Sequence, residues 1–138
     1  MTTPNDQNAA IIKGFRENAG KVGGRYENIP LVLLTTKGAK SGKARVNPLA
    51  CLPEGDRLYV FASRGGGPNN PDWYHNVVAN PDVTVEYGTE RFPAKALVLQ
   101  GKERDEVYAR QAALRPRFAE YQRMTKRTIP VVALVRKT

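Results

Sequence analysis

Apolar residues alternate with polar ones or gather in short runs through the middle of the chain. Six runs rich in Val, Leu, Tyr and Phe predict strands: Leu31 to Thr36, Arg45 to Leu52, Arg57 to Ala62, Val83 to Tyr87, Arg91 to Gln100, and Pro130 to Val135. "PEGD" after the second run and "YGTE" after the fourth stand at hairpin distance, so mostly antiparallel pairing is expected. Helical spacing occurs in three places. Ile11, Ile12, Phe15 and Ala19 share one face behind Asp6, a candidate N-cap, and Gly20, Gly23 and Gly24 end that segment. "NPDWYHNVVANP" predicts a helix capped by Asn70, with Pro71 in its first turn, Asp72 at its positive end and Asn80-Pro81 as its stop. A third helix runs from Glu103 to Leu114, breaks at Pro116 and resumes over Tyr121 to Met124.

Three strands, a helix, two strands, a helix and a strand do not make the regular alternation of a parallel sheet. The expected fold class is α+β, a small barrel with flanking helices. With no repeat or linker, residues 1–138 are expected to form one domain, residues 1–28 being a peripheral N-terminal helix and lead-in. The longest apolar run, Ile29 to Leu34, is too short to span a bilayer. The N-terminus lacks the pattern of a secretory signal, and Cys51 is the only cysteine, so a cytoplasmic, reducing setting is expected.

Charge changes the picture more. Against 13 Asp and Glu stand 22 Lys and Arg, a net +9 that favours an anionic partner. "TTKGAKSGKARVNPL" concentrates Lys37, Lys40, Lys43 and Arg45 among Gly38, Ser41 and Gly42, with no carboxylate. Three residues separate Gly38 from Gly42 and Ala44 follows Lys43, so this is not the phosphate loop of a triphosphatase. Two readings stay open: an anion grip of backbone N–H, hydroxyl and cationic groups, or a solvated basic turn.

In "ASRGGGPNNPDWYHN" three glycines leave a strand and lead to a helix, either as a floppy loop or as a place where a flat ligand meets the main chain. Trp73 suits core or stacking, and His75, the one imidazole, suits the surface. Phe118 and Tyr121, three apart on a helix, make one aromatic wall, either packing on the barrel or facing a ligand. Arg115, Arg117, Arg123, Lys126 and Arg127 read as a solvated face. No catalytic triad, carboxylate pair or metal-ligand cluster is visible, so no metal is expected.

In order along the chain, "LLTTKGAKSGKARVNPL", "FASRGGGPNNPDWYHNVVANPDVTV" and "YQRMTKRTIPVVAL" resemble the deazaflavin-dependent nitroreductase family, a branch of the split β-barrel flavin and deazaflavin oxidoreductases. The resemblance spans Phe15 to the C-terminus. It implies a split barrel using coenzyme F-420, an 8-hydroxy-5-deazaflavin, to reduce quinones or other electron-poor planar acceptors, nitroaromatics included. It further implies that Lys40, Ser41, Gly42, Arg45, Val46, Asn47 and Pro48 hold the cofactor phosphate and tail. Ala62, Ser63, Arg64, Gly65 and Gly66 would line its head, with Asn70, Trp73, Tyr74 and Asn76 completing the pocket.

Ser63 and Tyr121 match positions near the reacting ring and are the candidate catalytic groups. Ala50, Phe118 and Tyr121 fall on the substrate side. Ala50 and Phe118 replace tyrosines of the nitroimidazole-activating relative, which leaves prodrug activation open. The composition agrees, because a phosphorylated, glutamylated cofactor is strongly anionic and itself carries the hydride. An FMN-dependent barrel oxidoreductase is the first alternative. A basic module binding nucleic acid or an anionic membrane is the second, and peripheral contact with the inner face of the cell membrane is compatible with a lipid quinone.

Overall fold

The computed structural model describes residues 4–22 and 29–137. After helix α1 (Pro4–Glu17) come strands β1 (Leu31–Lys37), β2 (Ala44–Glu54) and β3 (Arg57–Phe61), and then helix α2 (Asp72–Ala79). Strands β4 (Asp82–Tyr87) and β5 (Glu90–Val98), helices α3 (Gly101–Leu114) and α4 (Pro116–Met124), and strand β6 (Val131–Arg136) complete the order. The six strands close into a barrel in the order β1-β2-β3-β6-β5-β4, every pairing antiparallel. Both expected hairpins form, on turns where Gly55 (φ 59°) and Gly88 (φ 61°) take the left-handed conformation such tight connections need.

Side-chain alternation sorts each strand into two faces. Val32, Leu34, Cys51, Leu58, Val60, Val83, Val85, Val132 and Leu134 point into the barrel and form one buried cluster with Ala94 and Ala96. Outside, Leu31 and Leu33 are covered by Phe15 of α1, and Tyr59, Phe61, Val131 and Ala133 by Val107, Tyr108 and Phe118 of α3 and α4. β1, β3 and β6 are therefore buried on both faces, which explains why they read as continuous apolar runs. Helix α2 adds Trp73 and Val77 to the interior cluster, which through a closed wall it reaches only from an open end. Arg16 ties α1 to β4 by a two-pronged ion pair with Glu86 (3.0 and 2.9 Å).

Some local expectations are corrected. α1 starts at Pro4, so Asp6 lies within it and is not its N-cap. Ala19 lies past the helix, exposed, at a φ of 56°. Gly20 closes against the β4–β5 turn, where a Cβ would stand 2.8 Å from Gly88 Cα; Gly23 and Gly24 lie outside the described residues. α4 does not wait for Tyr121 but begins at Pro116, because proline fits a first helical turn, where no N–H partner is required. Among the described residues, no helix is long and apolar enough to cross a membrane.

Candidate cofactor and acceptor site

The basic turn between β1 and β2 is built. Gly38 N–H donates to Lys43 O (2.8 Å), Gly42 N–H to Gly38 O (2.9 Å) and Lys43 N–H to Ser41 Oγ (3.2 Å). Gly38 packs closely there: a Cβ would meet Ser41 Oγ at 2.6 Å and Lys43 O at 3.3 Å, so a larger residue would turn the serine hydroxyl aside. Asn76, buried on α2, accepts from Ala39 N–H (2.9 Å) and donates to the buried Thr36 hydroxyl (3.1 Å). Both ends of its amide are thereby engaged in fastening the turn to the barrel. Lys40, Ser41, Lys43 and Arg45 are exposed, and none of these cations has a carboxylate partner among the described residues. The turn thus presents unneutralised positive charge on a fixed backbone.

Past β3 the chain bends sharply. Ser63 is right-handed (φ −76°, ψ −38°), and Arg64, Gly65 and Gly66 are left-handed (φ 47°, 62° and 83°). Gly66 is pressed by α4: a Cβ would lie 3.1 Å from Tyr121 O and from Met124 Cβ. Arg127 holds this bend from behind. Its Nη1 donates to Ala62 O (3.1 Å) and Asn70 Oδ1 (2.6 Å), its Nη2 to Ser63 O (3.0 Å) and its Nε to Gly67 O (3.1 Å).

Arg127 is held in turn. Gln122 Nε2 donates to Arg127 O (2.7 Å), while Gln122 Oε1 accepts from Arg104 (2.7 Å) and from Ile129 N–H (3.0 Å). Arg104 also reaches Ile129 O (3.0 and 2.8 Å) and lies over the Tyr108 ring. Arg127 is therefore not part of a solvated face, contrary to its reading as one of a run of charges. Nor does Asn70 cap α2: Pro71 occupies that position, and the Asn70 side chain is drawn to Arg127.

The aromatic wall forms and is anchored in the barrel's outer packing. Phe118 meets Phe61 edge-on (centroids 5.5 Å apart), Tyr121 meets Phe118 likewise (5.3 Å), and Tyr108 Oη donates to Phe118 O (2.6 Å). Burial pushes the Tyr108 hydroxyl up to about 12, so it stays protonated as that donor. In front of the wall lie two adjoining cavities of about 580 and 300 Å³, which share Ala50, Ser63, Gly65 and Phe118. Tyr121, Ile29, Leu114 and Arg117 add to the larger one; Pro48, Leu49, Arg64 and Trp73 add to the smaller.

Of the residues singled out from sequence, the structure gathers Pro48, Ala50, Ser63, Arg64, Gly65, Trp73, Phe118 and Tyr121 around one cleft. Trp73 is packed in the core at 4% exposure and also borders the smaller cavity. Lys40, Ser41, Gly42 and Arg45 line neither of these two cavities. Lys40, Ser41 and Gly42 lie in the turn before β2, and Arg45 stands on β2 five residues before Ala50, roughly 17 Å at about 3.3 Å per residue. Val46 and Asn47 lie between; Ala62 and Gly66 are buried behind the bend; Tyr74 is half-buried beside an exposed His75. Cys51 faces the barrel interior, where burial raises its thiol to about 12 and leaves it inert.

A cleft bordered by the Ser63–Gly65 bend, Trp73, Phe118 and Tyr121, with an exposed cationic turn at the start of one of its strands, suits an elongated ligand with a planar head and an anionic tail. Comparison with known proteins bears on what that ligand is. Residues 10–136 match the model of the F-420H(2)-dependent quinone reductase family. The chain belongs to that family. The F-420H(2)-dependent quinone reductase Rv1261c of Mycobacterium tuberculosis is 39% identical over 129 residues, covering 89% of this chain and 85% of that protein. Among solved structures, an F-420-H2 dependent reductase superposes with a TM-score of 0.70 at 44% identity, covering 76% of this chain and 93% of that one. A domain-swapped dimer superposes with a TM-score of 0.72 at 39% identity, covering 94% and 95%. The split-barrel architecture expected from sequence is the family's, its cofactor is coenzyme F-420, and the residues present fit such a group: cations on the turn without carboxylate partners among the described residues, and a cleft bordered by the Ser63–Gly65 bend and Trp73.

Proposed function

We propose that this protein takes a hydride from reduced coenzyme F-420 and delivers it to a quinone, with the cofactor head at Ser63–Gly65 and its phosphorylated tail against Lys40, Ser41 and Arg45. What supports the assignment of residues is that strand β2, which borders the cleft at Pro48 and Ala50, starts from the cationic turn. When bound, the reduced deazaflavin supplies the hydride itself. What remains for the chain is to bind, orient and stabilise charge.

Lys40 and Arg45 contribute charge-assisted bonds to the tail phosphate, and the Ser41 hydroxyl, which already accepts from Lys43 N–H, retains its proton to donate. Val46, Asn47 and Pro48 line the path between turn and cleft. Asn76 supports the cofactor from behind by fixing the turn, and Asn70 by fixing Arg127 at the bend. Tyr74 follows Trp73 on α2. On the acceptor side, Ala50 and Phe118 bound a space whose size is ordinary for a small planar substrate. Hydride addition leaves charge on a quinone oxygen, and the proton that neutralises it comes from the Tyr121 hydroxyl, the Ser63 hydroxyl or water.

Anaerobic mixing of the protein with reduced F-420 and menadione, following cofactor reoxidation by its absorbance, tests this directly. Saturable reoxidation well above the protein-free rate is expected. A rate equal to the control, or tight FMN binding without any F-420 response in a fluorescence titration, would refute it.

A further inference from the structure

We propose that Arg127 is the positioning residue of the cofactor cleft: it aims the peptide N–H groups of Ser63 and Arg64 at the ligand and strengthens them as donors. The inference rests on the reading above that the bend after β3 receives the cofactor head. In a trans peptide the carbonyl and the following N–H point in opposite directions, and no peptide bond among the described residues is cis. Arg127 takes Ala62 O and Ser63 O on one side of the bend. The N–H groups of the same two peptide planes, those of Ser63 and Arg64, are thereby turned to the other side, where Ser63, Arg64 and Gly65 line the cleft.

Neither N–H has a partner within the chain among the described residues. Their right-handed then left-handed backbone is the conformation that converges successive N–H groups on an anionic atom. A full cation hydrogen-bonded to the carbonyl end of each plane also polarises it, which makes the opposite N–H the stronger donor.

The guanidinium is suited to this as an ammonium is not. Four acceptors spread over Ala62, Ser63, Gly67 and Asn70 are met by a planar fork of five donors, whereas a lysine offers one compact charge. Arg64 holds a left-handed conformation unfavourable for a residue with a Cβ, and Arg127 adds to the bend's own two bonds, Gly66 N–H to Ser63 O (2.9 Å) and Gly67 N–H to Arg64 O (3.1 Å). The Gln122–Arg104 network clamps the segment that carries Arg127, so the strap itself is stiff. These groups lie about sixty residues apart in sequence, 57 to 65 for the four bonds, which makes Arg127 a tertiary device and not part of the loop's own geometry.

Arg127→Lys, which keeps the charge, and Arg127→Ala, with and without added guanidinium ion, test the proposal on three readouts. In the ligand-free protein, hydrogen exchange at the amides of Gly66 and Gly67 should rise at least about tenfold in both variants, with barrel amides such as Val60 unchanged. Oxidised F-420 should bind about tenfold more weakly by fluorescence titration, guanidinium restoring part of the loss in Arg127→Ala. The ionisation of the bound ring, read from its visible absorbance against pH, should move up by about one unit as donors to the ring anion are lost.

Unchanged exchange at the bend, or exchange raised equally across the barrel, would overturn the proposal, as would wild-type affinity with an unshifted ring ionisation in Arg127→Lys. If Arg127→Ala fails to fold, Arg127→Lys decides alone. If the wild-type protein binds no F-420, the functional reading falls, and the exchange data still show whether Arg127 sets the bend.

Discussion

Replacing Asn76 by alanine separates two roles that its position near the cofactor turn would otherwise confuse. Its amide makes two hydrogen bonds, from Ala39 N–H and to Thr36 Oγ1, each contributing about 0.5–1.5 kcal/mol net. Ala39 is exposed, so its N–H turns to water once the partner is gone; Thr36 is only 2% exposed, and its hydroxyl is left buried and unsatisfied. That orphan costs about 1–3 kcal/mol in place of its bond's net value, and together with the lost Ala39 bond a total of about 2–4 kcal/mol is expected. At this chain length it lowers Tm by roughly 6–15 °C.

Thr36→Val removes the orphan, so Thr36→Val/Asn76→Ala should lose less than the sum of the single variants, a coupling measurable by thermal melts of all four proteins. F-420 affinity should fall modestly, through a loosened turn. A melt within 2 °C of wild type combined with a large loss of F-420 affinity would refute the reasoning. It would mean that Asn76 contacts the cofactor directly and that its two internal bonds hold nothing.

Lys40→Ala and Arg45→Ala should each weaken F-420 binding roughly tenfold with Tm unchanged, because both side chains are exposed and unpaired; equal affinity in both variants removes the turn from the site. Gly66→Ala should destabilise the protein by about 1–3 kcal/mol and lower F-420 affinity, since a Cβ at φ 83° would press on the Tyr121 carbonyl; a neutral melt would refute the close packing of α4. The Arg16 guanidinium holds Glu86 below its ordinary value of 4.5. The stability this confers is complete above that ordinary value and is lost as pH falls through the lowered one. Glu86→Gln should therefore show a flatter dependence of Tm on pH below that ordinary value, and parallel curves for the two proteins would refute the linkage.

What could be read from the sequence was what is local. Period-two alternation and two glycine turns disclosed the strands, and three separated motifs disclosed the family. Arg127 was misread because charge spacing says nothing about three carbonyls that arrive from some sixty residues upstream. Asn70 stands where a cap belongs by the local grammar of Asn-Pro-Asp, and a distant guanidinium outcompetes the helix for its oxygen. Pro116 looked like a break, although proline disrupts a helix only where an N–H partner is required, and here it opens a new one. Asn76 was legible as a pocket residue only; that its amide is consumed by Thr36 and Ala39 depends on how α2 lies across the barrel.

Alternation along β2 has a consequence for how such a protein diversifies. Leu49 and Cys51 pack with the interior cluster, while Ala50 between them packs outward, against the helices that flank the cleft. Position 50 can therefore change size and reshape the guest chamber without disturbing the aliphatic filling that keeps the protein folded. Phe118 has no such licence, being wedged against Phe61 and Tyr108. New acceptor preferences should accordingly arise first at residue 50, and at residue 118 only together with its ring neighbours.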